Sequence, residues 1–301
     1  MSGEQLYMSA LEEKMHGSAE LVAARLEQCL KSGDPDLSEL YNAMSYSALA
    51  GGKRIRPFLV MAVCDMFSGN AEEALLYATA VEMVHTYSLI HDDLPAMDND
   101  DMRRGKPTCH KAYGEARAIL AGDALLTMAF ELVSGDSSVP DGHRVRALYE
   151  ISKCAGSSGM IGGQEMDIAL EGQHIEYETM VKIHMLKTVE LIKCACRLGA
   201  IAADISDEKT LADIDCYAEG IGRVFQLVDD LLDVSSTDEK LGKTTGSDEK
   251  NKKTTYLSFM PAEIAEQLAD VMTEKAVEAL KDYENSKCLC DFALFLKDRK
   301  K

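Results

Sequence analysis

Residues 71–93 read AEEALLYATAVEMVHTYSLIHDD, and they decide what kind of fold this chain can adopt. Apolar side chains fall on almost every side of a 3.6-residue period, so the spacing predicts a helix over 71–92 that is buried on most of its surface. AILAGDALLTMAFELV (118–133) and YAEGIGRVFQLVDDLLDV (217–234) read the same way. Helices apolar all round must be wrapped by other helices. Helical patterns recur over about 18–31, 36–50, 54–66, 111–133, 143–160, 176–203, 208–234 and 261–283. Breakers separate them: Asp34-Pro35, Gly51-Gly52, Ser68-Gly69-Asn70, SGDSSVPDGH at 134–143, Gly162-Gly163 and LGKTTGSDEKNKK at 241–253. Strand-like alternation is nowhere sustained. The expectation is one all-α domain over 1–301, a helical bundle with central buried helices.

Composition agrees. Only 6% of the 301 residues are aromatic, there is no Trp, and 46% are hydrophobic, enough for one large core of helix formers rather than a β-structure. The formal charge of −19 argues against nucleic acid or an anionic membrane as partner, since both need a basic surface. The polar start MSGEQLYMSALEEKMHG has no apolar signal core, and no run of 18 or more apolar residues marks a membrane span. Nine cysteines without a secretory signal point to a reducing compartment, here the cytoplasm. Their CAC (194–196) and CLC (288–290) spacings lack the gap of zinc or redox pairs, so they read as small buried apolar residues.

Two acid clusters do not fit a plain apolar bundle. In LVDDLLDV, Asp229 and Asp233 stack on one helix face with Asp230 at its flank, while Leu227, Val228, Leu231, Leu232 and Val234 claim the rest of the surface. Carboxylates crowded on an apolar helix repel one another and resist desolvation, and a divalent cation bridging to phosphate oxygens relieves both. Asp92, Asp93 and Asp98 form the second cluster. On an ideal helix Asp98 lies about 120° away from Asp92, but Pro95 cannot continue the helix, and a helix end there would swing Asp98 back. Neither cluster has EF-hand spacing, and no Walker loop is present. Against the acidic background, basic residues gather at GGKRIRP (51–57), RRGK (103–106) and Lys243 to Lys253. Mixed acid and base clusters suit a polyanion, held partly through Mg²⁺ and partly by Lys and Arg directly.

GGKRIRP (51–57), HTYSLIHDDLPAMDNDDMRRGKPTCH (85–110), AILAGDALL (118–126), GGQEMD (162–167), HMLKT (184–188), FQLVDDLLD (225–233) and LGKTTGSDEKNKKTTY (241–256) resemble, in order, the motifs of the trans-polyprenyl diphosphate synthase family. The likeness spans about residues 40–260 and is closest to the bacterial farnesyl diphosphate synthases. It implies an all-α bundle of antiparallel helices around a deep central cavity, usually a homodimer. The implied reaction joins isopentenyl diphosphate head-to-tail to dimethylallyl and then geranyl diphosphate, giving (2E,6E)-farnesyl diphosphate. By the same resemblance, Asp92 and Asp98, with Asp93 in support, would hold two Mg²⁺ on the allylic diphosphate. Asp229, supported by Asp230 and Asp233, would hold a third. Arg103, Lys187, Lys243 and Lys253 would neutralise that leaving group. Lys53, Arg56, His85 and Arg104 would bind isopentenyl diphosphate, and Thr188 and Gln226 would set oxygens near the developing cation. On the residues alone, His85 reads more readily as a hydrogen-bonded core histidine, although it lies almost two turns before Asp92 on nearly the same face.

Product length in this family follows the residues four and five positions before the first aspartate, here Ser88 and Tyr87. A bulky Tyr87 with the Pro95-Ala96 insertion resembles synthases that stop at fifteen carbons, and a twenty-carbon geranylgeranyl product is the alternative. Tyr87 as an ordinary core aromatic is the competing structural reading. Two departures stand out: Val228 replaces a residue that is polar in many relatives, and the end FALFLKDRKK resembles the family's basic tail too loosely to be assigned a site. Three rival classes fit less well. A silent synthase subunit would lack an acid motif, a terpene cyclase has no use for GGKRIRP, and a merely structural bundle leaves the ordered motifs unexplained.

Overall fold

The computed structural model describes residues 3–235 and 254–299. Its helices run α1 (Gly3–Cys29), α2 (Ser38–Ala48), α3 (Ile55–Met66), α4 (Ala71–Asp92), α5 (Cys109–Tyr113), α6 (Glu115–Gly135), α7 (Asp141–Ala155), α8 (Met160–Ala169), α9 (Tyr177–His184), α10 (Glu190–Ala202), α11 (Glu208–Ser235), α12 (Ala262–Leu280) and α13 (Lys287–Asp298). The hub is α4, as its apolar surface requires: it packs on α3, α6 and α10, while α10 also meets α7 and α11. Asn70 caps α4, its side-chain oxygen accepting from the backbone N–H groups of Glu72 and Glu73 at 3.1 and 3.2 Å. Leu76, Tyr77, Val81, Met83, Val84 and Ile90 are all buried along it, each contributing about 1.5–3 kcal/mol by leaving water. Helix α11 lies along α12, with α13 against both.

Several details differ from the sequence expectation. Helix α1 begins at Gly3 rather than near 18, and Leu11, Ser18, Val22 and Leu26 form one narrow buried row along it. Gly114 separates α5 from α6. The continuous helix expected over 176–203 is interrupted by a π-helical turn, Met185–Val189. Helix α13 was not expected, yet Leu289, Phe292, Ala293 and Leu296 bury a regular helical stripe. The reading of 118–133 as buried on most sides is corrected. Helix α6 buries Ala118, Ala121, Gly122, Leu125, Ala129 and Val133, but Ile119 and Leu120 are 44% and 57% exposed. By length and composition α6 is also apolar enough to cross a membrane, with a third of its most apolar stretch buried. Asp123 and Glu131 interrupt its outer side.

The one strand pairing among the described residues is a two-residue hairpin, β1 (Met102–Arg103) with β2 (Lys106–Pro107). Arg104 (φ 53°) and Gly105 (φ 74°) turn it through the left-handed region, as a tight hairpin of this twist demands. Arg54, at the start of α3, is likewise left-handed (φ 47°). Each costs about 1 kcal/mol or more for a residue with a Cβ. Both strained residues border the same cationic pocket.

Candidate active site

Helix α4 stops at Asp92, and the chain then doubles back. The Asp98 N–H donates to the Asp92 carbonyl at 2.9 Å and the Asn99 N–H to the Leu94 carbonyl at 3.1 Å, with Asn99 left-handed at φ 53°. Asp98 therefore returns to the Asp92 end, as the break at Pro95 suggested. Burial pushes the Asp92 carboxyl up to about 6; Asp98 and Asp93 push in the same direction, and Lys187 and Arg103 oppose them. Asp93 is handled differently. It is buried, and Arg103 grips it with Nε at 2.8 and 2.9 Å from its two oxygens and Nη2 at 2.5 Å. Burial raises the Asp93 carboxyl and Arg103 restrains it. Arg103 and Asp93 thus face each other, and Arg103 braces the loop that carries Asp98.

The α11 cluster is divided three ways. Asp230 is buried and accepts from Gln226 Nε2 at 3.0 Å and from the Tyr256 backbone N–H at 2.9 Å. Gln226, its amide nitrogen so committed, turns Oε1 toward Thr188, whose hydroxyl donates at 3.4 Å. Asp233 is buried with Oδ1 lacking any partner. Asp229 pairs with Arg299, at the far end of the sequence. Val228 is buried in the core.

Lys187 and Thr188 stand on the π-helical turn, a local widening that aims two successive side chains where a regular helix would not. The turn lies hard against α8, because a Cβ on Gly163 would come within 2.3 Å of the Lys187 backbone nitrogen. Lys187 Nζ donates to Asp167 Oδ2 at 2.6 Å, and one turn earlier on α8 both amide atoms of Gln164 are buried without a partner.

A second pocket is built from guanidinium groups. Arg56 Nη1 lies 3.5 Å from His85 Nε2, and the Arg104 guanidinium donates to the Gly51 carbonyl. Burial, then the positive charges of Arg56, Arg104, Arg103 and Arg54, hold the His85 imidazole well below its ordinary range, so it is neutral. Burial also brings Arg56 down to about 10, against the opposing pull of Glu82. Glu82 on α4 is buried and paired with Arg54, whose guanidinium also caps the Ala48 carbonyl. Lys53 lies by the α11 cluster: burial lowers its ammonium, Arg299 lowers it further, and Asp229 pulls it back.

A carboxylate cluster beside Lys187 and a cationic cluster of Arg56, Arg104 and His85 thus both lie along α4, and Arg103 acts on each. The family described as Polyprenyl synthetase matches residues 37–289. The chain belongs to the polyprenyl synthetase family. It is 44% identical over 271 residues to the farnesyl diphosphate synthase of Escherichia coli (strain K12), covering 85% of this chain and 90% of that protein. It is equally 44% identical over 268 residues to a geranylgeranyl diphosphate synthase of Cyanophora paradoxa, covering 88% of each. The crystal structure of an FPP/GFPP synthase from Zymomonas mobilis superimposes with a TM-score of 0.86 at 34% identity, over 96% of this chain and 99% of that one. This polyprenyl synthetase is a trans-prenyltransferase of the all-α isoprenyl diphosphate synthase fold.

In this polyprenyl synthetase the acid clusters fit Mg²⁺ by their chemistry. Among the described residues no three carboxylate, imidazole or thiol groups converge to hold an ion by themselves. Mg²⁺ takes one or two carboxylates and completes its shell with water and phosphate oxygens, so a partial donor set suffices. The unpartnered Oδ1 of buried Asp233 is a donor such an ion could use. Lys243 and Lys253 lie outside the described residues.

Tyr87 is buried, its ring 5.8 Å from His91 and nearly perpendicular to it, with a hydroxyl that has no partner and is pushed up to about 12, chiefly by burial. Ser88 is half-buried and donates to the His85 carbonyl of its own helix at 2.9 Å. Sequence reasoning missed Glu82, Gln164, Asp167 and Arg299. Gln164 and Asp167 were in view inside GGQEMD, three apart on one face. Glu82 could have been suspected as a charge on an otherwise apolar helix.

Proposed function

We propose that this chain makes (2E,6E)-farnesyl diphosphate by Mg²⁺-dependent condensation of isopentenyl diphosphate, first with dimethylallyl and then with geranyl diphosphate. One observation carries the reading: the two anion sites are built oppositely. The first presents carboxylates with Lys187 beside them, so a diphosphate enters it only together with a cation. The second presents Arg56, Arg104 and neutral His85, so a diphosphate enters it unaided. A reaction that consumes two diphosphates, one of which must leave, needs that asymmetry.

Asp92, Asp98 and Asp229, with Asp93, Asp230 and Asp233 supporting, would hold Mg²⁺, which would supply neutralisation of the charge that gathers on the departing diphosphate. Lys187 donates to the same oxygens, and its contribution grows as the C–O bond lengthens. Thr188 Oγ1 and Gln226 Oε1, oriented through Asp230, offer lone pairs to the allylic cation without bonding to it. Arg56, Arg104 and Lys53 hold isopentenyl diphosphate so that its double bond faces that carbon. His85, neutral, adds a hydrogen bond without adding repulsion among the arginines. The proton lost from the new chain passes to the released diphosphate. Buried Tyr87 ends the chain at fifteen carbons.

The enzyme works as a cytoplasmic homodimer, a reading supported by nine free thiols and by the outward Ile119 and Leu120 of α6, an apolar face suited to a second copy. Light scattering on the purified chain checks the dimer, and a monomer at micromolar concentration refutes it.

The test of function is a product assay with isopentenyl diphosphate, Mg²⁺ and either dimethylallyl or geranyl diphosphate. A fifteen-carbon product is expected, and Tyr87→Ala should lengthen it. A twenty-carbon product from the native chain keeps the chemistry and refutes the role of Tyr87; relatives named for both products make that a real alternative. No product from either primer would favour a silent subunit.

A further inference from the structure

Arg299 has no role in the chemistry described so far, yet it is among the more firmly held cations in the molecule. Its side chain is 4% exposed. The guanidinium donates to the Asp229 carboxylate and, at 2.8 Å, to the Phe225 carbonyl, and it lies 4.2 Å over the Phe225 ring. Nε is buried with no partner at all. Its partner Asp229 is itself 44% exposed, so that carboxylate is open to a competing cation. Asp229 is also the carboxylate read above as holding a metal ion.

We propose that Arg299 is the exchangeable counter-ion of the second acid cluster. While no metal is present it neutralises Asp229; when a divalent ion takes that carboxylate, Arg299 is released, and the end of α13 loosens with it. Arg299 holds Asp229 through Oδ1, and a divalent ion on the same carboxylate repels the guanidinium, so binding of one weakens the hold of the other. The freed guanidinium stays near Lys53, whose ammonium already feels its charge. The inference rests on Asp229 being a metal ligand.

The test uses the full chain without substrates and Mn²⁺ as the probe, bound ion being counted by electron paramagnetic resonance. Hydrogen exchange of residues 287–299 is followed at zero and saturating Mn²⁺. Exchange at 292–299 should rise with Mn²⁺ in the native chain and stay unchanged in Asp229→Asn. Arg299→Gln should bind the ion about tenfold more tightly, since the competing ion pair is gone, and Arg299→Lys should fall between. If exchange is unchanged at saturating Mn²⁺ while Asp229→Asn still loses one bound ion, the exchange mechanism is wrong and Asp229 remains a ligand. If Asp229→Asn loses no ion, the metal reading of that cluster fails and takes the proposal with it.

Discussion

Replacing Glu82 by Gln should weaken the fold more than any change at the acid clusters. The Glu82 and Arg54 side chains are 2% and 3% exposed and pair with each other across α4 and the start of α3. Removing only the carboxylate leaves a guanidinium buried without its counter-ion, and breaking such a pair costs about 3–5 kcal/mol. Gln keeps the shape and one acceptor oxygen, so the lower end applies, about 3 kcal/mol. For 301 residues, at about 2.1 cal/mol/K of unfolding entropy each, that corresponds to a fall of roughly 5 °C in Tm. The chain has no Trp, so urea unfolding is followed by far-UV circular dichroism. The midpoint should move with m unchanged, because the surface exposed on unfolding is the same. The double change Arg54→Met with Glu82→Leu should recover most of the loss, since replacing both charges with apolar groups of similar volume removes the desolvation penalty. A Glu82→Gln midpoint within about 0.5 kcal/mol of the native chain, the ordinary range for surface changes, would refute the reasoning. So would a double variant no more stable than the single.

The remaining expectations concern the site. Asp92 has a folded value raised to about 6 from an ordinary 3.8. Between those values the folded state holds a proton that the unfolded chain has released, so its contribution to stability falls as pH rises through that window. Metal-free protein should therefore lose stability from about pH 4 to pH 6, Asp92→Asn should flatten that slope, and identical slopes would rule the linkage out. Asp167→Asn should lower kcat about tenfold, roughly 1.4 kcal/mol in barrier, with KM for isopentenyl diphosphate unchanged and partial recovery in Asp167→Glu. An equal loss in both variants would mean that Asp167 serves structure alone. Gly163→Ala drives a Cβ into the Lys187 backbone and should cost about 1–3 kcal/mol of stability as well as activity; calorimetry showing no change would mean α8 can move aside freely.

The all-α class, the central α4 and the two acid clusters could be read from the sequence because they depend on period and composition, which are local. A helix that is apolar on every side has few places to go, and carboxylates three and four apart must share its face. The order of the motifs along the chain likewise points to its family. What could not be read locally was who pairs with whom. Asp93 and Arg103 are ten residues apart and both resemble ligand-site residues, yet they face each other because the hairpin at Arg104-Gly105 returns the chain over the end of α4. The outward face of α6 looked like core because hydrophobicity alone does not say how many neighbours a helix has. Asp229 and Arg299 lie seventy residues apart and meet only because α11, α12 and α13 pack together. Spacing along a chain determines which side chains share a face; the charge each face meets is decided by the helices packed against it.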